Sequence, residues 1–259
     1  MATLHLPAAL RVPIVPWSPS STEKFMTCPT RWWLDRQGAI GRVQDTQAME
    51  QGSAYHEGMA AYWEECKFWA ADSLVMKAID RTILQEGDAL REQGIVGVEV
   101  NLDGNDAEAA RHGRYPGTCD LITQNATGLT VTDYKTKGKL EAAYVDRELR
   151  QTDRSWQLKQ YAHFIQLKYG RPVTQKRKLL VSFVPLKVWL VTYPVTQHEL
   201  STWHTQAEVV WGLMDEVECG NLAAWQVESA CERYGWQWRC PYYENCWDGA
   251  PITYEEAAK

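Results

Sequence analysis

Between residues 46 and 71, Met49, Ser53, His56, Met59, Ala60 and Trp63 recur every three or four positions. That spacing puts them on one stripe of an α-helix and turns His56 inward. Two shorter helices are predicted ahead of it. Ser20 and Glu23 have the spacing of a capping box for a helix carrying Phe25. Cys28-Pro29 places a proline in the first turn of a second helix, which continues through Trp32, Trp33 and Leu34. A further helical pattern over 72–92 leads into a β-rich run at 95–102. The period then changes to two. Runs 117–123 and 129–135, separated by a turn containing Asn125 and Gly128, predict a hairpin. In its second strand Asp133 and Lys135 share a face with Leu129 and Val131, while Tyr134 points to the other. Helical spacing returns as far as Lys168, with Gln157 and Tyr161 on one side, and stops at Tyr169-Gly170-Arg171-Pro172. Runs 178–184 and 187–195 predict two more strands. Thr196 and Glu199 form a capping box for a helix striped by Leu200, Trp203, Ala207, Val210, Trp211, Met214 and Val217, with Gly220 at its end.

These elements describe an α/β protein. Residues 1–19 form a proline-rich lead, 20–250 one domain, and 251–259 a loose acidic tail. Within the domain, 20–95 is helical, 95–195 bears the sheet, and 196–250 holds a helix and a cysteine module. At 259 residues the chain can bury a large core without staples. No apolar run approaches the length of a membrane span, and the first residues lack a basic segment followed by an apolar block, so a cytoplasmic protein is expected. A net charge of -6 excludes a surface coated in basic, nucleic-acid-binding charge. Any contact with DNA must be local, at Lys135, Lys137 and Lys139 or at Arg171, Lys176, Arg177 and Lys178. Most of the 13 tryptophans are expected in the core. Seven cysteines, an odd number without an export signal, argue against a disulfide framework and for ligation by a clustered subset.

Asp120, Asp133 and Lys135 carry the chemistry. Phosphodiester hydrolysis needs a divalent cation held by hard oxygens, an oriented water, and positive charge near the phosphoryl oxygens. Two carboxylates at adjacent strand ends can hold Mg²⁺ or Mn²⁺, and a lysine two residues beyond one of them projects from the same face. Taken singly, each element has a plainer reading. An Asp-x-Lys on a strand is usually an exposed ion pair, and an inward histidine a hydrogen-bonded core residue.

Four elements in chain order resemble the PD-(D/E)XK nuclease superfamily, in particular its RecB-like branch, which includes CRISPR-associated and phage exonucleases. Gly52-x-x-x-His56 resembles the histidine-bearing helix of that branch, and Gly117-x-x-Asp120-Leu-Ile its glycine-to-aspartate strand. Asp133-Tyr134-Lys135-Thr136 resembles its signature, and Gln157-x-x-x-Tyr161 its glutamine-tyrosine helix. The resemblance runs from Cys28 to Cys246. It implies a restriction-endonuclease-like core, with a mixed central sheet flanked by helices. His56, Asp120 and Asp133 would be side-chain ligands of Mg²⁺ or Mn²⁺, joined by the Tyr134 carbonyl. Lys135 would position water and stabilise charge, and Gln157 and Tyr161 would line the DNA-facing side, with Gln160 a competing polar residue. Glu99, in a strand-like run before Asp120, is expected to face solvent, with a contact to the metal or to one of its ligands as its other reading.

One subgroup of that branch joins its two ends through a four-iron, four-sulfur cluster. Cys28 resembles the early ligand, and Cys240-Pro-Tyr-Tyr-Glu-Asn-Cys246 the last two. Cys231 would complete the set, although it stands further from Cys240 than the subgroup's spacing, with Gln237 at the usual position. Zinc on the same four thiolates, or three free buried cysteines, stays open, and Cys219 is a reserve ligand. The resemblance implies a metal-dependent DNA nuclease, an exonuclease on DNA ends or single strands, serving recombination, repair or replication alongside proteins of those processes. A catalytically silent DNA-binding or assembly module and a restriction-type endonuclease are the other readings.

Overall fold

The computed structural model describes residues 17–37, 46–65, 73–102, 117–140, 142–225, 227, 242 and 246. The chain divides into two compact units, 45–204 and a second made of 1–44 with 205–259.

The first unit is built on a five-stranded mixed sheet, in the order β1 (Ile95–Asn101), β2 (Thr118–Asn125), β3 (Gly128–Lys139), β4 (Val173–Val184), β5 (Lys187–Pro194). All neighbours are antiparallel except β3 and β4. A parallel pair needs a long crossover. Here it is made by two helices, α6 (Ala142–Thr152) and α7 (Trp156–Tyr169). The sequence pattern is helical as far as Lys168. The structure divides it into two helices at Asp153 to Ser155, where the Ser155 hydroxyl caps α7 by accepting from the Leu158 N–H. Gly170, at φ 61°, closes α7.

One face of the sheet packs under α3 (Thr46–Glu65) and α4 (Leu74–Thr82). Tyr55, Met59, Tyr62 and Trp63 of α3 and Ala78 and Ile79 of α4 form a core with Leu121, Tyr134, Leu179 and Val181. The buried stripe of α3 is therefore rotated from the expected one. Met49 and Ser53 are exposed, and Tyr55 and Tyr62 take their place because large aromatic rings gain more from burial than a serine or a helix-end methionine. Beyond α4 the helix passes through a π-turn, Ile83–Gly87, before α5 (Asp88–Glu92), an irregularity that the pattern over 72–92 does not reveal. On α7, which packs against β3 and β4, Leu158, Ala162 and Ile165 are buried.

β4 begins five residues before its expected start and takes in Lys176, Arg177 and Lys178. These are not a surface DNA contact. As members of an interior strand all three are buried, and each is met by acceptors: Lys176 by Glu199 and by Asp153 at 3.4 Å, Lys178 by Glu148 at 3.5 Å, and Arg177 by Gln93 at 2.9 Å and Thr192 at 3.1 Å. A buried charge is tolerated only with such partners. Arg171 hydrogen-bonds the Gln124 side chain at 2.7 Å. Glu199 consequently forms only half of the expected capping box at the start of α8 (Gln197–Glu218). Thr196 accepts from the Glu199 N–H, while the Glu199 carboxylate goes to Lys176 and Lys159.

In the second unit, α1 (Pro19–Thr27) is capped by Ser18, not Ser20, with its hydroxyl accepting from the Ser21 N–H. Pro19 takes the first-turn position that suits its missing N–H. Phe25 and Trp32 meet edge-to-face at 5.0 Å, and the Trp32 indole donates to Ser21. Cys28 is buried where α1 meets α2 (Pro29–Arg36), and Tyr242 donates to Asp35 at 2.6 Å. Cys246 is half-buried and Cys219 exposed, while Cys231 and Cys240 lie outside the described residues.

Gly128 opens β3 at φ 155°, and a Cβ there would lie 2.4 Å from the Pro172 carbonyl oxygen. Gly170 has positive φ but open space around it. Gly128→Ala is expected to cost about 2 kcal/mol or more, a fall of roughly 5 °C in Tm. Gly170→Ala is expected to cost about 1 kcal/mol. Thermal unfolding of the two variants side by side checks the order, and equal losses would contradict it.

Candidate active site

Strand register assembles the carboxylates. β1 and β2 pair Val98 with Leu121 and Val100 with Cys119, which sets Glu99 opposite Asp120. β2 and β3 pair Leu121 with Thr132, which makes Asp120 and Asp133 the next positions along the hairpin. Three acids thus stand in a row across three strands. The regular pairing of β2 with β3 stops there, and the Tyr134 N–H donates to the Asp120 carboxylate. Glu99 sits at φ 45°, a conformation that non-glycine residues rarely adopt and that is often found at functional sites.

α3 supplies the fourth group. A Cβ at Gly52 would come within 2.9 Å of the Thr136 hydroxyl, so glycine is what lets the helix lie close to β3. One turn later, His56 Nδ1 stands 3.3 Å from Asp120 Oδ1 and 3.6 Å from Glu99 Oε1. The ligand atoms of His56, Glu99 and Asp120 all lie within 4.8 Å of one another. Glu99 Oε1 is buried and accepts no hydrogen bond. An unfilled carboxylate oxygen beside a second carboxylate and an imidazole is a donor set that suits a divalent cation.

Asp133 is buried, and Lys135, more than a third exposed, reaches back to it with Nζ 3.0 Å from Oδ1. The structure therefore places Asp133 and Lys135 beside the His56, Glu99 and Asp120 group without adding the Asp133 carboxylate to it. Tyr134 points the other way, as expected, and its buried hydroxyl accepts from the Trp63 indole at 3.0 Å. On α7, Gln157 donates to the Tyr161 hydroxyl at 2.6 Å. Burial, and then the charge of Asp133, raise the Tyr161 hydroxyl above its ordinary range, which places this residue near the acids. Gln160 is wholly buried and does not compete for a surface role. Glu99, expected to face solvent with a metal contact as its other reading, is half-buried with its carboxylate toward His56, and its signal was its place in a strand-like run ahead of Asp120.

The charges of the site are interdependent. Burial lifts the Asp120 carboxyl to about 6, against the opposing hydrogen bond from His56. Burial alone would lower the His56 imidazole, but the neighbouring Asp120 and Glu99 carboxylates together outweigh it and raise His56 to about 10. Without a metal, His56 holds its proton at neutral pH. Its contribution to stability is then complete below the unfolded histidine value of about 6.5 and is lost as pH rises through about 10. In metal-free protein the His56 ring signals, followed by NMR, are expected to stay in the protonated position past pH 8. Asp120→Asn should bring the midpoint down. A wild-type midpoint near 6.5 would contradict the geometry.

The sequence pattern of the PD-(D/E)XK nuclease superfamily matches residues 16–246. No curated protein matches the chain. Among solved structures, a protein designated an exonuclease from Eubacterium rectale aligns with TM-score 0.56 and 12% identity over 100% of this chain and 96% of its own. A phage-related exonuclease from Haemophilus somnus aligns at TM-score 0.37 and 10% identity, over 80% and 97%. An alkaline exonuclease from Laribacter hongkongensis aligns at 0.33 and 9%, over 74% and 96%. With the family pattern spanning nearly the whole chain, and with a mixed sheet that carries Asp120 and the Asp133-Tyr134-Lys135 run on neighbouring strands, this chain belongs to the PD-(D/E)XK nuclease superfamily.

Proposed function

We propose that the chain is a metal-dependent deoxyribonuclease that works as an exonuclease on DNA ends or single strands. The main support is the joint placement of the His56, Glu99 and Asp120 donors with the Asp133 and Lys135 pair beside them. His56, Glu99 and Asp120 would hold Mg²⁺ or Mn²⁺, and by the family resemblance Asp133 and the Tyr134 carbonyl would join them. When bound, the cation supplies Lewis-acid polarisation and a more acidic water.

The chain's own groups divide the remaining work. Asp120 ties β2 to β3 through the Tyr134 N–H and orients His56. Lys135, held by Asp133 but open to solvent, offers a positive charge to the phosphoryl oxygens as charge develops there. Gln157 and Tyr161 act as a hydrogen-bonded pair on α7 that can position a strand. Nothing among these residues speaks for a silent module, since each acid and the lysine are intact.

For Cys28, Cys231, Cys240 and Cys246 we propose a four-iron, four-sulfur cluster on sequence spacing alone, with zinc the other group that four thiolates hold. Cys28 and Cys246 belong to one unit. Anaerobically purified protein should be brown and contain iron, and a colourless, zinc-containing preparation would reject the cluster.

In a cleavage panel of linear single strands, linear duplexes and closed circles, the protein with Mg²⁺ or Mn²⁺ is expected to degrade DNA with ends and spare circles, and chelation should stop it. Lys135→Ala should lower the rate by about 10²–10³-fold, and Asp120→Ala or Asp133→Ala by at least as much. Wild-type rates in these variants would refute the site. Discrete products from circular plasmid would instead select a restriction-type endonuclease, and DNA binding without cleavage a silent module.

A further inference from the structure

β3 continues past the site with cations on the same face. Alternation along the strand places Lys137 and Lys139 on the side that carries Asp133 and Lys135, at steps of about 7 Å, and both are exposed. Three residues after Lys139, α6 begins. Its inner side is marked by the buried Val145 and Thr152. Arg147 and Arg150 stand on the opposite side, and Arg154 follows in the turn after the helix, all three exposed. The Arg147 guanidinium lies over the Tyr144 ring, 4.9 Å from its centroid.

A solvated helix face ordinarily mixes signs and pairs them. Here two of the nearby acids turn to the buried strand instead, Glu148 to Lys178 at 3.5 Å and Asp153 to Lys176 at 3.4 Å. Asp146 remains exposed. Among the described residues, none of Lys137, Lys139, Arg147, Arg150 and Arg154 forms an ion pair with a carboxylate. The buried lysines of β4 thus leave an uncompensated basic run on the outside, in a chain whose net charge is -6.

We propose that this run is a phosphate track. Lys137 and Lys139, followed by Arg147, Arg150 and Arg154, bind the sugar-phosphate backbone of the DNA strand that leads away from the phosphodiester held at Asp120, Asp133 and Lys135. The proposal rests on the nuclease reading above and adds where the substrate runs. Continuity with Lys135 favours DNA over an acidic peptide, and the planar guanidinium is suited to two-point contact with phosphate.

Binding separates this idea from catalysis. Fluorescence anisotropy with an end-labelled single strand and a duplex, in chelator so that nothing is cut, is measured across a salt series. Each phosphate contact contributes about 0.7 (single strand) to 0.9 (duplex) to the slope of log K against log salt. Replacing Arg147, Arg150 and Arg154 together with alanine is expected to weaken Kd about tenfold or more and to lower the slope by about two to three. The triple lysine replacement, which keeps the charge, should recover most of the slope and so excludes misfolding as the cause. Arg81→Gln removes an exposed charge from α4, on the far face of the sheet, and should leave the slope unchanged. The track is overturned by wild-type protein with no salt-dependent DNA binding, by an alanine triple with the wild-type slope, by a lysine triple that binds no better than the alanine triple, or by an equal loss in Arg81→Gln. Arginine-dependent binding without any cleavage in the panel above would keep the track and sink the nuclease reading.

Discussion

The Asp120 carboxylate is the point on which the site depends. One oxygen takes the Tyr134 N–H and so bridges β2 to β3 where their regular pairing ends, and the other faces His56. A buried carboxylate that accepts hydrogen bonds from two elements fixes both of them, because leaving it unsatisfied would cost several kcal/mol. That constraint brings α3 to the open end of the hairpin. Gly52 makes the approach sterically possible, and the register across β1, β2 and β3 then sets Glu99 and Asp133 on either side.

β4 plays the complementary part. It separates the charges that hold the fold from those free to meet a ligand. Lys176, Arg177 and Lys178 are buried between two partner strands, and their acceptors come from α6, α8 and the loop ahead of β1. The acids of the α6 segment are drawn inward by this demand, while its arginines stay in water. The chain's small net negative charge therefore hides an uneven distribution, acidic groups facing the strand and basic ones facing out, on the side of the sheet where Asp133 and Lys135 emerge.

Much of the fold was legible from local rules. The hairpin, the strand-borne Asp133 and Lys135 with Tyr134 reversed, the long striped helix after Thr196, and the separation of His56 from Asp120 by a helix-to-strand transition all follow from side-chain period and turn chemistry, which neighbours along the chain decide. The order of the four motifs carried the family. The errors share a different cause. Ser18 replaced Ser20 as the cap of α1, and the stripe of α3 rotated toward its tyrosines, because each choice depended on what the helix packs against.

The sequence by itself determined which residues are candidates for the chemistry and which face of β3 Asp133, Tyr134 and Lys135 occupy, since period and motif are properties of a local stretch. Only the tertiary structure decided that Glu99 joins His56 and Asp120 and that Lys176 to Lys178 are interior. The first depends on the register between β1 and β2, and the second on β4 lying between two strands. Register and strand order arise from contacts between distant segments, and no local pattern records which strand will be the neighbour.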